Sequence, residues 1–399
     1  MINRELIRIK IVQLTYAYYQ NGDRNIDNAE KELLFSLSKA YDLYNNLLAL
    51  IVAVTKEARS QVEILAMRAA REGKESPSQR FAYNKFAVQL EENKMLSEFV
   101  ANQKTRWEDD IEFVRKLLSQ IQQSELYKEY LADSSDDYET DREFWRKVYK
   151  QDIQENVDLD DLLEDKSLYW NDDKEIVDTF VLKTIKRFDP EKGSKQELLP
   201  EYRDEEDRDF ARKLFRATIL NADTYQHYMS EASRNWDFSR LAYMDVVIMQ
   251  IAIAEMMTFP NIPVSVTINE YVNLAKLYST YQSGRYVNGM LDSIARGLNE
   301  TGKMAKPMGE LHTRVQATEK KRTTRESSSR RPRIQDENQM LSARHQEKDL
   351  AHSVSHEDEE DSIDGLGGED NQNASVETPP LLTENTEKEE NQSELNEKE

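Results

Sequence analysis

Arg4 and Arg8 stand four residues apart in a segment where Leu6, Ile7, Ile9, Ile11, Val12, Leu14, Tyr16 and Tyr18 cover almost every direction of a helical wheel. The two guanidiniums share the narrow gap that is left. Two such cations one turn apart on an apolar helix make a compact contact for a phosphate or a base. The same spacing fits the solvated edge of a core helix. A second cluster lies far along the chain. Ser283, Arg285 and Tyr286 open a segment in which Val287, Leu291, Ile294 and Leu298 follow four-three-four spacing. Ser283 suits a helix N-cap, where backbone donors and the helix dipole favour an anion. An aromatic ring beside an arginine stacks an unpaired base. Tyr286 reads equally well as an ordinary core residue. Gly289, inside this helix, costs ~1 kcal/mol relative to Ala, which points to another backbone passing close by.

Catalytic constellations are missing. The sequence holds no GxGxxG, P-loop, HExxH or GxSxG pattern. Of five histidines only His227 lies before residue 303, and a lone histidine on a helix is ordinary packing or surface. The absence of Cys rules out disulfides and Cys-ligated zinc or iron–sulfur centres. Residues 133–178 are rich in acids, but Asp158-Leu159-Asp160-Asp161 lacks the glycine and the bidentate glutamate of a calcium loop. The expectation is a non-enzyme without metal or cofactor.

The elements that must position these clusters are helical. Leu33, Leu37, Ala40, Tyr44, Leu47, Ile51, Val54 and Ala58 alternate steps of four and three, which puts all eight on one face of a long helix that Gly73 and Ser76-Pro77 end. Trp107, Ile111, Val114, Leu118 and Ile121 repeat the pattern. Phe188 to Gly193 is a turn, followed by helical segments near 204–222 and 223–234. From Phe238 to Met257 the strongly polar side chains are Arg240, Asp245, Gln250 and Glu255, so this helix is buried on most sides. Phe259-Pro260-Asn261-Ile262-Pro263 breaks it, and Pro263 suits the first turn of the next helix, which runs to about Tyr278.

Charge and aromatics divide the chain. Its 399 residues carry 54 Lys+Arg against 76 Asp+Glu, a net charge of -22. No aromatic lies beyond Tyr286, so residues 303–399 are expected to be disordered. Within that tail, 303–348 carries a net charge of +6 and 349–399 a net charge of -15, which leaves -13 for 1–302. An acidic domain binds a nucleic acid only through a local group of cations, completed by a basic partner. No apolar run reaches the ~18–20 residues of a membrane span, and Arg4, Arg8 and Lys10 interrupt the start, so the expected compartment is the cytoplasm.

Several segments carry a family likeness. Ile262-Pro263-Val264, Ile268-Asn269-Glu270, Leu274-Ala275-Lys276 and the run from Ser283 to Asp292 resemble the C-terminal signature of the NusB family, approximately IPxxVxINEAVELAK and then SxxFVNGVLD. Met249 to Met256 is similar to the family's preceding helix. Arg8, Val12-Gln13 and Tyr16 resemble its arginine-rich first helix and AxQxLY core. The resemblance is specific over 236–299, extends to 4–20 and 205–235, and leaves 21–204 mostly outside. It implies an all-α, NusB-like bundle of two packed subdomains: a helical domain 1–302, with family core 1–20 and 205–302 and a helical insertion 21–204, and then the tail.

The resemblance also implies a function without catalysis. NusB proteins recognise boxA RNA in ribosomal RNA leaders together with NusE, a small-subunit ribosomal protein, and help the RNA polymerase elongation complex read through terminators. Position by position, Arg4 and Arg8 fall in the RNA-binding segment, although Glu5, Leu6 and Ile7 replace arginines or small residues there. Tyr286 stands at the family's RNA-edge Phe, Arg285 at a commonly basic position, and Gln282 where Asp is common. Asp245 matches an acidic position that faces the ribosomal protein. Asn288 and Gly289 fit helix packing. Two other readings are an interaction scaffold without RNA recognition and an RNA methyltransferase, which the missing strand–Gly-rich loop–helix unit speaks against.

Overall fold

Asn3 starts the first helix, α1 (Arg4–Gln20), by accepting the Leu6 N–H on its side-chain oxygen. The structure, a computed structural model, describes residues 1–21, 25–170, 172–233, 241–280 and 282–304. The tail expectation for 303–399 falls almost wholly outside them, as do Phe238 and Arg240. The described residues are all-α, as the sequence implies. Their one β-type pairing is a parallel bridge between Ile2 and Tyr202, supported by the Ile2 N–H donating to the Glu201 carbonyl at 2.7 Å.

The eight stripe residues from Leu33 to Ala58 are all buried on α2 (Ile26–Glu72), 47 residues long. Asn25 caps its start, and Gly73 ends it with φ of 66°, a left-handed backbone that glycine adopts without strain. Beyond Ala58 the stripe stops and Ile64, Leu65 and Met67 are exposed. Against the buried part of α2 lie α3 (Lys85–Glu91), α4 (Lys94–Asn102), α5 (Ile111–Gln123) and α9 (Lys174–Arg187). The shorter α6 (Glu125–Ala132), α7 (Tyr138–Val148) and α8 (Val157–Lys166) complete this part, with α7 packed on α3 and α9. Trp107 differs from its expected place on a helical stripe. It sits in the turn before α5, and its indole N–H donates to the Asn46 carbonyl on α2 at 2.8 Å.

The remaining helices are α10 (Glu205–Leu220), α11 (Ala222–Ala232), α12 (Tyr243–Thr258), α13 (Val264–Tyr278) and α14 (Ser283–Glu300). Pro263 stands at the cap just before α13. The apolar α12 packs against α1, α10, α11, α13 and α14, which accounts for its burial on nearly all sides. α1 lies between this group and α2, so it is covered on several sides. Among the described residues no helix is long and apolar enough to cross a membrane.

Lys10 joins the first helix to the stretch before α9. Its buried ammonium lies 2.8 Å from the Asp173 carboxylate and donates to the Tyr169 carbonyl at 2.8 Å. One turn on, Gln13 donates to Asp172 at 2.6 Å. Burial pushes the Asp173 carboxyl up to about 6 against the attraction of Lys10, and burial likewise pushes Asp178 to about 6 beside Lys174. Both folded-state values lie above the ordinary 3.8, so the contribution of these groups to stability is largest below that pH and is lost as pH rises through about 6. Asp173→Ala strands a buried ammonium and is expected to cost roughly 3–5 kcal/mol in urea unfolding at pH 7. The double variant Lys10→Met/Asp173→Leu should recover most of that loss. It should also remove the part of the pH dependence between about pH 4 and 6 that Asp173 supplies.

Candidate nucleic-acid interface

Glu255 sits in the middle of the apolar α12 with no exposed surface. A carboxylate there requires a partner, because desolvating an unpaired charge costs several kcal/mol, of order 5. Arg8 supplies it. The Arg8 Nε donates to Glu255 Oε2 at 2.8 Å and Nη2 to Oε1 at 3.0 Å, a two-pronged contact. Thr267 Oγ1 and Tyr271 OH, both on α13, donate to the same carboxylate at 2.9 and 3.0 Å. Arg8 Nη1 also reaches Glu270 at 3.4 Å. Burial works against the guanidinium's charge, but the hydrogen bonds and charge of Glu255 outweigh it and hold the pKa above the usual arginine value. The expectation that Arg8 presents its guanidinium outward is therefore corrected: the gap on the wheel faces an internal acid, not solvent.

Arg4 is placed differently. It is half-buried over the Phe210 ring, 5.0 Å from guanidinium carbon to ring centre, and pairs with Glu206 at 3.0 Å and Asp207 at 3.2 Å. Glu206 is largely exposed. An exposed pair contributes on the order of 0–1 kcal/mol, so Arg4 can exchange this acid for a phosphate at little cost.

The second cluster is built around a hydrogen bond between helices. Ser283 is buried, and its hydroxyl donates to Asp245 Oδ2 at 2.9 Å. The Ser283 Oγ accepts the Thr280 N–H at 3.2 Å. Ser283 is the first residue of α14 and its side chain caps no donor within that helix, which corrects the N-cap expectation. Asp245, in the first turn of α12, is buried beneath Ser283, so the expectation that its charge faces a partner is corrected too. Together the pair fixes the start of α14 to the start of α12. That leaves Arg285 exposed and Tyr286 half-buried at the surface. Burial, with the charge of Asp245, holds the Tyr286 hydroxyl above its ordinary pKa, so the ring is neutral at physiological pH.

Gly289 also differs from expectation. A Cβ there meets nothing within 4 Å, so no backbone passes close by. The close approach is at Gly284, where a Cβ would lie 2.7 Å from Cγ of Lys276 on α13. Sequence reasoning missed two further features. The acids that neutralise Arg4 and Arg8 left no local pattern, although Glu255 is visible as a lone acid in an apolar run. Tyr16 and Tyr243 form an edge-to-face pair, centroids 5.8 Å apart, and are 39% and 45% exposed. His227 lies exposed on α11, and among the described residues no group of His, Asp and Glu could hold a metal.

Comparison with known proteins converges on one family. The NusB family model matches residues 182–296. Over 132 residues the chain is 31% identical to the transcription antitermination protein NusB of Salinibacter ruber, covering 32% of this chain and 82% of that protein. It is 40% identical over 95 residues to the NusB of Dictyoglomus turgidum and 41% identical over 91 residues to that of Dictyoglomus thermophilum. These matches cover 24% and 23% of this chain, and 66% and 63% of the two relatives. No solved structure matches.

Two substitutions probe this geometry. Glu255→Ala strands Arg8 and should cost roughly 3–5 kcal/mol in chemical unfolding. Gly289→Ala fills open space in a helix and should raise stability by about 0.5–1 kcal/mol, read as a higher melting temperature.

Proposed function

The chain belongs to the NusB family, and on that premise we propose that it is an RNA-binding transcription antitermination factor of the cytoplasm. It takes up boxA-type RNA together with NusE and supports read-through by RNA polymerase on ribosomal RNA operons, without catalysing a reaction. The observation that carries this reading is the start of α14. There the Ser283–Asp245 hydrogen bond fixes the turn that carries the exposed Arg285 and the half-buried Tyr286. A ring next to a cation stacks an unpaired base and holds the adjoining phosphate. Arg4 adds a second cation at the surface of α1, and Arg8 serves the site by holding that helix in place. Asp245 and Ser283 act as positioning residues.

The protein-facing side of this reading rests on Tyr16 and Tyr243. Exposed, rigid aromatic rings are common anchors of protein interfaces. Asp245 lies two residues beyond Tyr243 and, through Ser283, steadies the helix turn that carries it. A basic ribosomal protein suits a domain whose 1–302 part carries -13. A second reading, a scaffold that binds NusE without RNA, is favoured by the internal neutralisation of Arg8.

Gel-shift titration on boxA RNA, with and without NusE, separates the two. Tyr286→Ala should weaken RNA binding about tenfold, consistent with ~1–3 kcal/mol per stacked base. Arg4→Ala should reduce the salt slope by about 0.7. NusE affinity that is the same with and without boxA RNA would decide for the scaffold.

A further inference from the structure

Most cations near the first helix are tied to acids of the same chain. Arg4 and Arg8 pair as described above. Arg203, Arg212, Lys213 and Arg216 pair with Asp204, Glu30, Asp209 and Asp27 respectively. Arg208 departs from this pattern, and so does one longer segment. Lys183, Lys186 and Arg187 at the end of α9, and Lys192 and Lys195 in the 3₁₀ helix that follows (Pro190–Lys195), are all exposed. None of the five makes an ion pair or side-chain hydrogen bond with a described residue. The span from 183 to 195 carries five cations and two acids, Asp189 and Glu191, in a domain that is otherwise strongly acidic.

The segment is held firmly. Gln89 donates to the carbonyls of Asp189 and Gly193 at 2.8 and 3.1 Å, Asn93 to that of Gln196 at 2.7 Å, and Arg142 to that of Phe188 at 2.7 Å. Asp189 accepts the Glu191 N–H at the start of the 3₁₀ helix, which commits one of the two acids to the backbone. Helix-dipole stabilisation accounts for Lys186 and Arg187 in the last turn of α9. It does not account for Lys183, Lys192 and Lys195. The Met1 amine and the Ile2 N–H donate to the Glu201 carbonyl at 3.0 and 2.7 Å, which brings the chain just after the segment to the start of α1. Like charges left together in the open favour an anionic ligand. The aromatic in the span, Phe188, is buried, so the surface offers charge without a ring and meets a backbone rather than bases.

We propose that Lys183, Lys186, Arg187, Lys192 and Lys195 form a second, sequence-independent contact that takes the phosphates of single-stranded RNA beyond the element held at Arg4 and Tyr286. This rests on the RNA-binding reading above. The end of α9 thereby adds to the cationic share that Arg4 and Arg285 supply.

Fluorescence anisotropy with the full chain tests it, using a boxA oligonucleotide and the same oligonucleotide extended by uridines on both sides. The wild type should bind the extended RNA more tightly. With all five cations changed to Gln, binding of the short RNA should stay as in the wild type and the gain from extension should vanish. The salt slope on the extended RNA should fall by about 0.7 per lost contact, which for five contacts is roughly a 100-fold difference in salt-induced affinity loss between 50 and 200 mM. A variant with the four lysines changed to Arg should behave as wild type. Pairwise variants, Lys183→Gln/Lys186→Gln and Lys192→Gln/Lys195→Gln, should each show a proportionate loss, and serve if the quintuple variant melts early. Wild-type affinity and salt slope for the extended RNA in these Gln variants overturn the proposal, including in favour of an acidic protein as the ligand. A Tyr286→Ala variant that binds normally, alongside a clear loss in the Gln variants, sinks the base-stacking site but not this surface. A wild type that binds neither RNA overturns both.

Discussion

A carboxylate in the centre of an apolar helix bundle has to be answered from within the bundle, and the packing of α1, α12 and α13 follows from how Glu255 is answered. Its two oxygens accept from Arg8 on α1 and from Thr267 and Tyr271 on α13. Four hydrogen bonds converge on one side chain, so the rotation and height of three helices are fixed against one another. Apolar packing alone tolerates small slips between helices, whereas a desolvated charge does not. The fixed orientation of α1 is also what puts Arg4 at the surface over Phe210.

The same device recurs at the stretch before α9. Lys10 reaches Asp173, and Gln13 reaches Asp172, so the stretch before α9 also grips α1. α2 touches both groups of helices, with its stripe buried from Leu33 to Ala58. The first helix is thus clamped by polar pairs from α12 and α13 on one hand and from the stretch before α9 on the other.

Local patterns were legible in the sequence and distant pairings were not. The four-three spacing of α2, the stop at Gly73 and the break before α13 follow from side-chain periodicity and backbone preference, which are local quantities. The polar gap at Arg4 and Arg8 was legible as a position, but a wheel does not say what lies across it. The answer to Arg8 is 247 residues away, and the answer to Ser283 is 38 residues away at Asp245. The spacing of Trp107 matches a helical stripe, but its indole N–H donates to a carbonyl on α2. The cost of a glycine inside a helix points to a contact at Gly289, whereas the contact lies at Gly284. The unpaired cations between 183 and 195 stand out only beside the ion pairs of Arg203, Arg212, Lys213 and Arg216.

The distance in sequence between Arg8 and Glu255 sets a timetable for synthesis. The first helix leaves the ribosome with its apolar faces and a guanidinium committed to a partner not yet made. At about 5–20 residues per second, the 247 residues that separate them take roughly 10–50 s to appear. Phe210 and the acids of α10 come only slightly sooner. α2 follows at once, carries its own apolar stripe, and packs on α1 in the finished fold. The nascent chain therefore has one early shelter for the apolar faces of α1, and the long helix that looks like an elaboration is the element that covers α1 while the rest is being translated.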